Sequence, residues 1–144
     1  MRLLCIIIGS IFAALAGSFF TTTIPQPIFL FRDVLGLVPV RNHGIAFSIS
    51  FGQIPQAIFI LCALSFICWS AYTTQRTRLD DWGYGLLIGG ALANIIDRLM
   101  DGAVEDIFKI GSFPIFNVAD ITITIGVVIL VLPLIWKRPS SPNC

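Results

Sequence analysis

Long apolar stretches alternate with more polar segments along the 144-residue chain. A helix that crosses the ~30 Å hydrocarbon core of a bilayer needs about 20 mostly apolar residues. The alternation therefore predicts membrane-spanning helices at about residues 3–20, 54–72, 82–96 and 118–136.

The two longer connecting segments, residues 21–53 and 97–117, are expected to hold the non-helical structure. The first is rich in Pro and contains two short β-prone runs, Ile28–Phe31 and Ile45–Phe51. Such runs, bounded by Pro and Gly, are typical of extended or small-sheet structure. We therefore expect an all-α membrane protein with four transmembrane helices, a single integral-membrane domain over residues 1–144, and small β elements on its outer face.

The first apolar stretch has a second interpretation as a cleaved secretory signal, because Ala14-Leu15-Ala16 resembles an A-x-A cleavage site. The apolar run continues past this point to Phe20, which favours a retained helix. Three small residues, Gly9, Ala13 and Gly17, recur every four positions and predict a face for close helix packing.

Composition supports the membrane class: 56% of the residues are hydrophobic, 12% are charged and the mean hydropathy is +0.91. A soluble domain carries about 25% charged residues. The formal net charge of +1 and the absence of a dense basic run predict no nucleic-acid partner. The cysteines and the single histidine, His43, lack metal-site spacing, so no metal site is predicted.

The basic residues predict the orientation of the helices, because cytoplasmic loops carry an excess of Lys and Arg. Both termini and the segment between the second and third helices would then be cytoplasmic, and the two long connecting segments would face the outside. The basic residues on the cytoplasmic side of this arrangement are Arg2, Arg76, Arg78, Lys137 and Arg138.

Acidic residues are concentrated in and beside the second outer segment. Charges near a membrane usually mark a functional site or a helix end. Counting at 1.5 Å per residue from Trp136, taken at the cytoplasmic interface, places Asp120 about 24 Å away, near the outer edge of the apolar core. The acidic residues of this region are Asp97, Asp101, Glu105, Asp106 and Asp120.

Asn117, Asp120 and Thr124 have the i, i+3, i+7 spacing that places them on one helix face. Asp106, expected in the loop before this helix, could fold over that face. Two carboxylates held close in a poorly solvated place share one proton, so that one acts as an acid and the other as a base. Alternatively, Asp106 is a solvated loop acid and Asp120 only caps its helix. The residues alone leave both interpretations open.

Three motifs, in this order on the predicted helices, resemble the lipoprotein signal peptidase (signal peptidase II) family. They are similar to the family's N-x-G-x-A-F-S, G-G-A-x-G-N-x-x-D-R-x-x-x-G-x-V-x-D-F and F-N-x-A-D. In this chain they are Asn42-His43-Gly44-Ile45-Ala46-Phe47-Ser48, residues 89–98 with Gly102, Val104 and Asp106, and Phe116-Asn117-Val118-Ala119-Asp120.

The resemblance implies an aspartyl endopeptidase of the bacterial cytoplasmic (inner) membrane, with its active site near the outer leaflet and surrounded by membrane lipids. It would cleave prolipoproteins at their diacylglyceryl-modified cysteine, without metal or cofactor, and would be inhibited by globomycin. The catalytic residues would be Asp106 and Asp120. The residues implied to bind substrate or support the active site are Asn42, Gly44, Asn94, Arg98 and Asn117.

The chain departs from the family at the outer end of the first helix, where D-Q-x-[ST]-K is usual and Thr21–Pro27 has neither an acid nor a lysine. Ala93 also replaces a usual glycine, Glu105 a common apolar residue, and Ile107 a phenylalanine. These differences leave open a weak or inactive family member that binds lipoprotein signals. A small proton-coupled transporter using Asp120 is less favoured, since transport needs no N-x-G-x-A-F-S motif.

Overall fold

The computed structural model describes residues 1–31, 34–44 and 53–136, and the side chains of these residues except 53–57. The expected β-prone run Ile45–Phe51 and the basic pair Lys137 and Arg138 lie outside these ranges. In chain order the described elements are α1 (Arg2–Thr22), β1 (Ile28–Phe31), β2 (Leu35–Asn42), α2 (Gln53–Thr73), α3 (Arg78–Asp101), β3 (Val104–Ile110) and α4 (Val118–Trp136).

The described part of the chain is mostly helical, with one small antiparallel sheet. Within it, α1 and α4 are long and apolar enough to cross a membrane, whereas the apolar part of α2, Ile58–Thr73, is shorter. Only 17% of the apolar window in α1 and 11% of that in α4 is buried inside the protein. The apolar side chains of these two helices therefore point mainly outward, as they would toward lipid.

Local caps set the ends of α3. At its start the Thr77 hydroxyl accepts a hydrogen bond from the Asp80 amide at 3.3 Å, and the Asp80 carboxylate accepts one from the Thr77 amide at 2.7 Å. At its end Gly102 adopts a left-handed conformation with φ 74°, which ends a helix without a Cβ penalty. The prediction of a helix over residues 82–96 was too short because hydropathy marks only its apolar part. Arg98, two residues beyond the predicted span, lies within the helix.

Close packing of α1 on α3 depends on glycines of α3. A Cβ atom at Gly85 would overlap the side chain of Ile6, and one at Gly89 would overlap the Ser10 side chain and the Ile7 carbonyl. The Ser10 hydroxyl also lies within 3.2 Å of the Gly85 carbonyl, to which it can donate. The two backbones approach closely here because α3 has no side chain at these positions.

The face of α1 that packs inward differs from the prediction. Gly17 contacts Val118 of α4, as its expected packing role requires, but Gly9 and Ala13 are exposed. The prediction was therefore wrong for these two residues: small size alone does not show which face meets a neighbour. The buried residues of α1 are Ile6, Ser10, Ala14 and Thr21.

Helix α2 packs against α3. Near the end of α2 the Ser70 and Tyr84 hydroxyls are 2.8 Å apart, and in the connection that follows, Arg76 forms an ion pair with Asp81 of α3 at 3.4 Å. Ala71 is buried at the same level. This end of α2 is therefore the part that is tied to α3.

The sheet has the order β1-β2-β3, with antiparallel neighbours. In the register of β2 and β3, Val40 lies opposite Asp106 and Arg41 lies opposite Glu105. The Arg41 and Glu105 side chains also form an ion pair at 3.0 Å. Asp106 thus lies in a strand, and its expected place in a loop was wrong. The pairing of β2 with β3 brings the segment after α1 and the segment after α3 to the same end of the helices.

The glycine contact generates a stability prediction. Gly89→Ala should lower the free energy of unfolding by about 1–3 kcal/mol, because the added methyl overlaps Ser10 and Ile7. Gly9→Ala is the matched control, since a Cβ there meets nothing within 4 Å. Unfolding of both variants in detergent would be followed by circular dichroism. Equal stability of the two variants would contradict the packing interpretation.

Candidate active site

Asp106 lies in β3 and is only 2% exposed. The Asn42 side-chain amide, from the end of β2, donates a hydrogen bond to Asp106 Oδ2 at 2.9 Å. The Asn117 side-chain amide, from just before α4, donates one to Asp106 Oδ1 at 2.8 Å. Each carboxyl oxygen of Asp106 therefore has one amide donor, so this buried acid is not left unsatisfied.

Asp120 lies in the first turn of α4, where it forms a reciprocal cap with Asn117. The Asn117 side-chain oxygen accepts from the Asp120 amide at 2.9 Å, and Asp120 Oδ2 accepts from the Asn117 amide at 3.2 Å. The second oxygen, Asp120 Oδ1, accepts from the side-chain amide of Asn94 at 3.0 Å. Asp120 therefore caps its helix and also belongs to the polar cluster.

Asn117 joins the two acids. Its Nδ2 donates to Asp106 Oδ1 and lies 3.2 Å from the side-chain oxygen of Asn94, while its own oxygen accepts from the Asp120 backbone amide. One side chain thus fixes a strand residue, a residue of α3 and the start of α4 relative to one another.

Arg98 connects α3 to the segment that follows β2. Its Nη1 donates to the Asn94 carbonyl at 2.9 Å and its Nη2 donates to the Gly44 carbonyl at 2.8 Å. The Gly44 amide in turn donates to the side-chain oxygen of Asn42 at 2.9 Å. Arg98 Nε is buried and has no hydrogen-bond partner among the described residues. The guanidinium also interacts electrostatically with both carboxylates of the cluster.

The pKa of Asp106 is raised above the ordinary value of an aspartate. Burial is the largest cause, because it disfavours the charged carboxylate. The amide hydrogen bonds from Asn42 and Asn117 oppose it by stabilising the charge, the negative charge of Asp120 adds to it, and Arg98 lowers the pKa slightly. Asp106 therefore keeps its proton to a higher pH than a solvated aspartate does.

The two acids line a cleft of about 680 Å³ whose walls come from α2, α3 and α4. Thr124 lines it as well, so Asn117, Asp120 and Thr124 all border one cleft, as their spacing predicts. Sequence reasoning missed the α2 wall, because α2 is apolar all round and no polar residue distinguishes its cleft side. The cleft residues of α2 are Phe59, Ile60, Ala63, Leu64 and Ile67.

The structure brings together all seven residues that the sequence singled out, from β2, α3, β3 and the start of α4. The clustered residues are Asn42, Gly44, Asn94, Arg98, Asp106, Asn117 and Asp120. The remainder of the first motif, residues 45–48, lies outside the described ranges.

In the divergent segment Thr21–Pro27, Thr21 is 1% exposed and its hydroxyl donates to the Gly17 carbonyl at 3.0 Å.

Comparison with known proteins gives matches over nearly the whole described chain. Residues 2–136 match the family model described as Signal peptidase (SPase) II. The lipoprotein signal peptidase of Nostoc punctiforme is 35% identical over 125 residues, covering 84% of this chain and 79% of the relative. That of Halothermothrix orenii is 36% identical over 118 residues, covering 80% and 79%. The Rickettsia canadensis protein is 42% identical over 105 residues, covering 67% of this chain and about half of its own length, 54%.

Two solved structures, both described as a bacterial membrane enzyme determined by the in meso method, share the fold. The one at 2.3 Å resolution has a TM-score of 0.82 and 25% identity, covering 98% of this chain and 94% of that chain. The one at 1.9 Å has a TM-score of 0.78 and 26% identity, covering 94% of each. With the family match over residues 2–136, these likenesses show that the chain belongs to the signal peptidase II family.

Proposed function

We propose that the protein is an aspartic endopeptidase that removes signal peptides from prolipoproteins at the diacylglyceryl-modified cysteine. The observation that carries this proposal is the hydrogen bonding of Asn117 to both Asp106 and Asp120 at the end of an apolar cleft. Membership of a family whose curated relatives are named lipoprotein signal peptidases supports the same substrate class.

The environments of the two acids support different roles. Asp106 is buried, and its raised pKa favours the protonated form. Asp120 is partly buried, accepts hydrogen bonds from Asn94 and from the Asn117 amide, and interacts with the positive charge of Arg98. We therefore assign the shared proton to Asp106 and the role of base to Asp120.

This arrangement performs peptide hydrolysis by acid–base chemistry. Asp120 takes a proton from a water molecule, whose oxygen forms a bond to the scissile carbonyl carbon while Asp106 protonates the carbonyl oxygen. The tetrahedral intermediate then breaks its C–N bond. Asp120 gives its proton to the leaving amine of the cysteine, and Asp106 recovers its proton from the intermediate's hydroxyl.

The other clustered residues position these groups. Asn42 and Asn117 fix both oxygens of Asp106, and Asn94 fixes one oxygen of Asp120. Arg98, which lines the cleft, holds the Gly44 carbonyl beside α3. These hydrogen bonds orient the acids before substrate arrives, which lowers the reorganisation needed in the transition state.

The apolar walls suit a substrate that stays anchored in the membrane. Phe59, Ile60 and Ala63 of α2 line the cleft together with Ile121 and Ile125 of α4. An acyl chain or the apolar part of a signal peptide would bury its surface there while the peptide bond reaches the acids. The same walls would take an apolar cyclic peptide, so we propose inhibition by globomycin.

We further propose a four-span topology in the bacterial inner membrane, with both termini cytoplasmic and the acids near the outer leaflet. The pairing of β2 with β3 supports it. The strands β2 and β3 follow α1 and α3, respectively. They can pair on one side of the membrane only if α2 takes the chain to the other side and α3 brings it back. The basic residues Arg2, Arg76 and Arg78 belong to the opposite end, as cytoplasmic segments require.

Topology is tested with reporter fusions after residues 35 and 78. The first should give an outer signal and the second a cytoplasmic signal, because a single crossing, α2, separates the two fusion points. N-terminal sequencing of the isolated protein supplies the control. A mature chain starting near Gly17 would refute the retained first helix and with it the four-span topology.

The catalytic pair is tested with Asp106→Asn and Asp120→Asn. Each variant should lose at least ~10²–10⁴-fold in cleavage rate, because an amide can neither give nor take the proton. The double variant should be little worse than either single one, since the pair acts as a unit. The side-chain oxygen of an Asn at this position can still accept from the Asn117 amide, so Asp120→Asn should keep α4 intact. The measurement is cleavage of a diacylglyceryl prolipoprotein by purified protein.

Asp101→Asn is the control for this experiment, because Asp101 is exposed at the end of α3 and should retain most activity. Thermal unfolding of all variants would show that folding is unchanged. Substantial cleavage by either single dyad variant would exclude the aspartic mechanism. Binding of the prolipoprotein without cleavage by the unaltered protein would instead favour the non-catalytic alternative.

The raised pKa of Asp106 predicts the pH dependence. Activity should fall as pH rises through this pKa, because the protonated acid is lost. Asn42→Ala removes a hydrogen bond that lowers the pKa, so the alkaline fall of kcat/KM should move to higher pH. Thr124→Val is the control, since Thr124 bonds the Asp120 carbonyl rather than Asp106. A shift to lower pH in the Asn42 variant would contradict the assignment of the proton to Asp106.

A further inference from the structure

A second cavity, of about 450 Å³, lies between α1, α3 and α4 and shares no lining residue with the cleft that holds the acids. Its walls are almost wholly apolar. Trp82 and Leu86 of α3 and Thr122 of α4 line it beside the residues of α1. We call this cavity the α1 groove. The residues that α1 contributes are Arg2, Cys5, Ile6, Gly9, Ser10 and Ala13.

The α1 groove has the length of one bilayer leaflet. At 1.5 Å per residue, its extent along α1 from Arg2 to Ala13 is about 16 Å. This is about half of the ~30 Å hydrocarbon core. The groove therefore matches a single acyl chain that extends from the membrane surface to the bilayer centre, and it is too short for a second spanning helix along its whole length.

The α1 groove is open rather than filled by the protein's own side chains. A Cβ atom at Gly9 would meet nothing within 4 Å, and Ala13 and Cys5 are exposed. Trp82, at the Arg2 end, is 52% exposed. In a bilayer such a surface is covered by lipid, because water cannot enter at this depth.

The positive charge of Arg2 at one end of the α1 groove favours a lipid with an anionic headgroup. Arg2 lies at the surface end of the groove, and none of the described carboxylates forms an ion pair with it. An unpaired guanidinium beside the headgroup region attracts a phosphate that carries a net negative charge. The indole of Trp82 is typical of the same interfacial level.

We propose that the α1 groove binds an anionic glycerophospholipid, with one acyl chain along Gly9 and Ala13 and the phosphate at Arg2. The proposal requires α1 to cross the bilayer and does not depend on Asp106 or Asp120. Neither Arg2 nor Gly9 belongs to the catalytic cluster, so lipid binding and cleavage can be measured separately.

Quenching of Trp82 fluorescence tests the proposal. The experiment uses a variant with Trp69→Phe and Trp136→Phe, in which Trp82 is the remaining tryptophan. This variant is reconstituted in phosphatidylcholine vesicles with a minor fraction of phosphatidylglycerol. Brominated chains are placed either on the phosphatidylglycerol or on an equal fraction of phosphatidylcholine. We expect about a fivefold preference for brominated phosphatidylglycerol, the size that one basic residue near an anionic headgroup provides.

Matched variants separate the groove from general surface charge. Arg2→Gln should remove the preference and Arg2→Lys should keep most of it, whereas Arg78→Gln, outside the groove, should leave it unchanged. Gly9→Leu should fill the groove and lower quenching by both lipids, because its side chain enters open space. Prolipoprotein cleavage by these variants should stay unaltered.

Three results would overturn the proposal. Equal quenching by the two brominated lipids would show that the groove has no headgroup preference. Loss of preference in Arg78→Gln as large as in Arg2→Gln would assign it to the net charge of that surface. Protection of Trp82 from both lipids, together with a dimer in sedimentation measurements, would show that a second copy of the chain occupies the groove.

Discussion

Two acidic side chains can be held together away from water only if their oxygens receive hydrogen bonds, and Asn117 is where this requirement is met for both. It donates to Asp106 through its amide nitrogen and accepts from the Asp120 backbone through its amide oxygen. An aspartate in its place would bring a third negative charge, and a leucine would leave one oxygen of Asp106 without a donor. The strand, the cap of α4 and the contact with α3 all converge on this one amide.

The same cluster depends on a contact between distant parts of the chain. Asp106 reaches the start of α4 because β3 pairs with β2, and β2 also supplies Asn42. Arg98 adds a second connection by binding the Gly44 carbonyl from α3. The segments after α1 and α3 therefore do more than join helices: they carry one acid and fix its orientation. A change in their register would move Asp106 to the other face of the sheet.

Some of this arrangement follows from the sequence, and some does not. Apolar stretches locate the helices well, and the spacing of Asn117, Asp120 and Thr124 correctly predicts a common face. The ends of α3 and the strand that holds Asp106 were missed, because caps and long-range strand pairing leave little trace in hydropathy. The wall of α2 and the packed face of α1 depend on which side of a uniformly apolar helix meets a neighbour. The amino-acid composition of a helix does not show which side packs inward when every side is apolar.

The walls of the cleft have a consequence for how a substrate would be collected. They are apolar and carry the acids, and α4, one of the helices that form them, is long and apolar enough to cross a membrane. A lipid-anchored peptide would then arrive by diffusion in the plane of the membrane, so its relevant concentration is the number of molecules per unit area. Confinement to two dimensions raises the frequency with which a peptide meets the cleft, so the cleft needs only modest affinity for each peptide. Processing would then respond to crowding of precursors in the membrane rather than to their abundance in the cell.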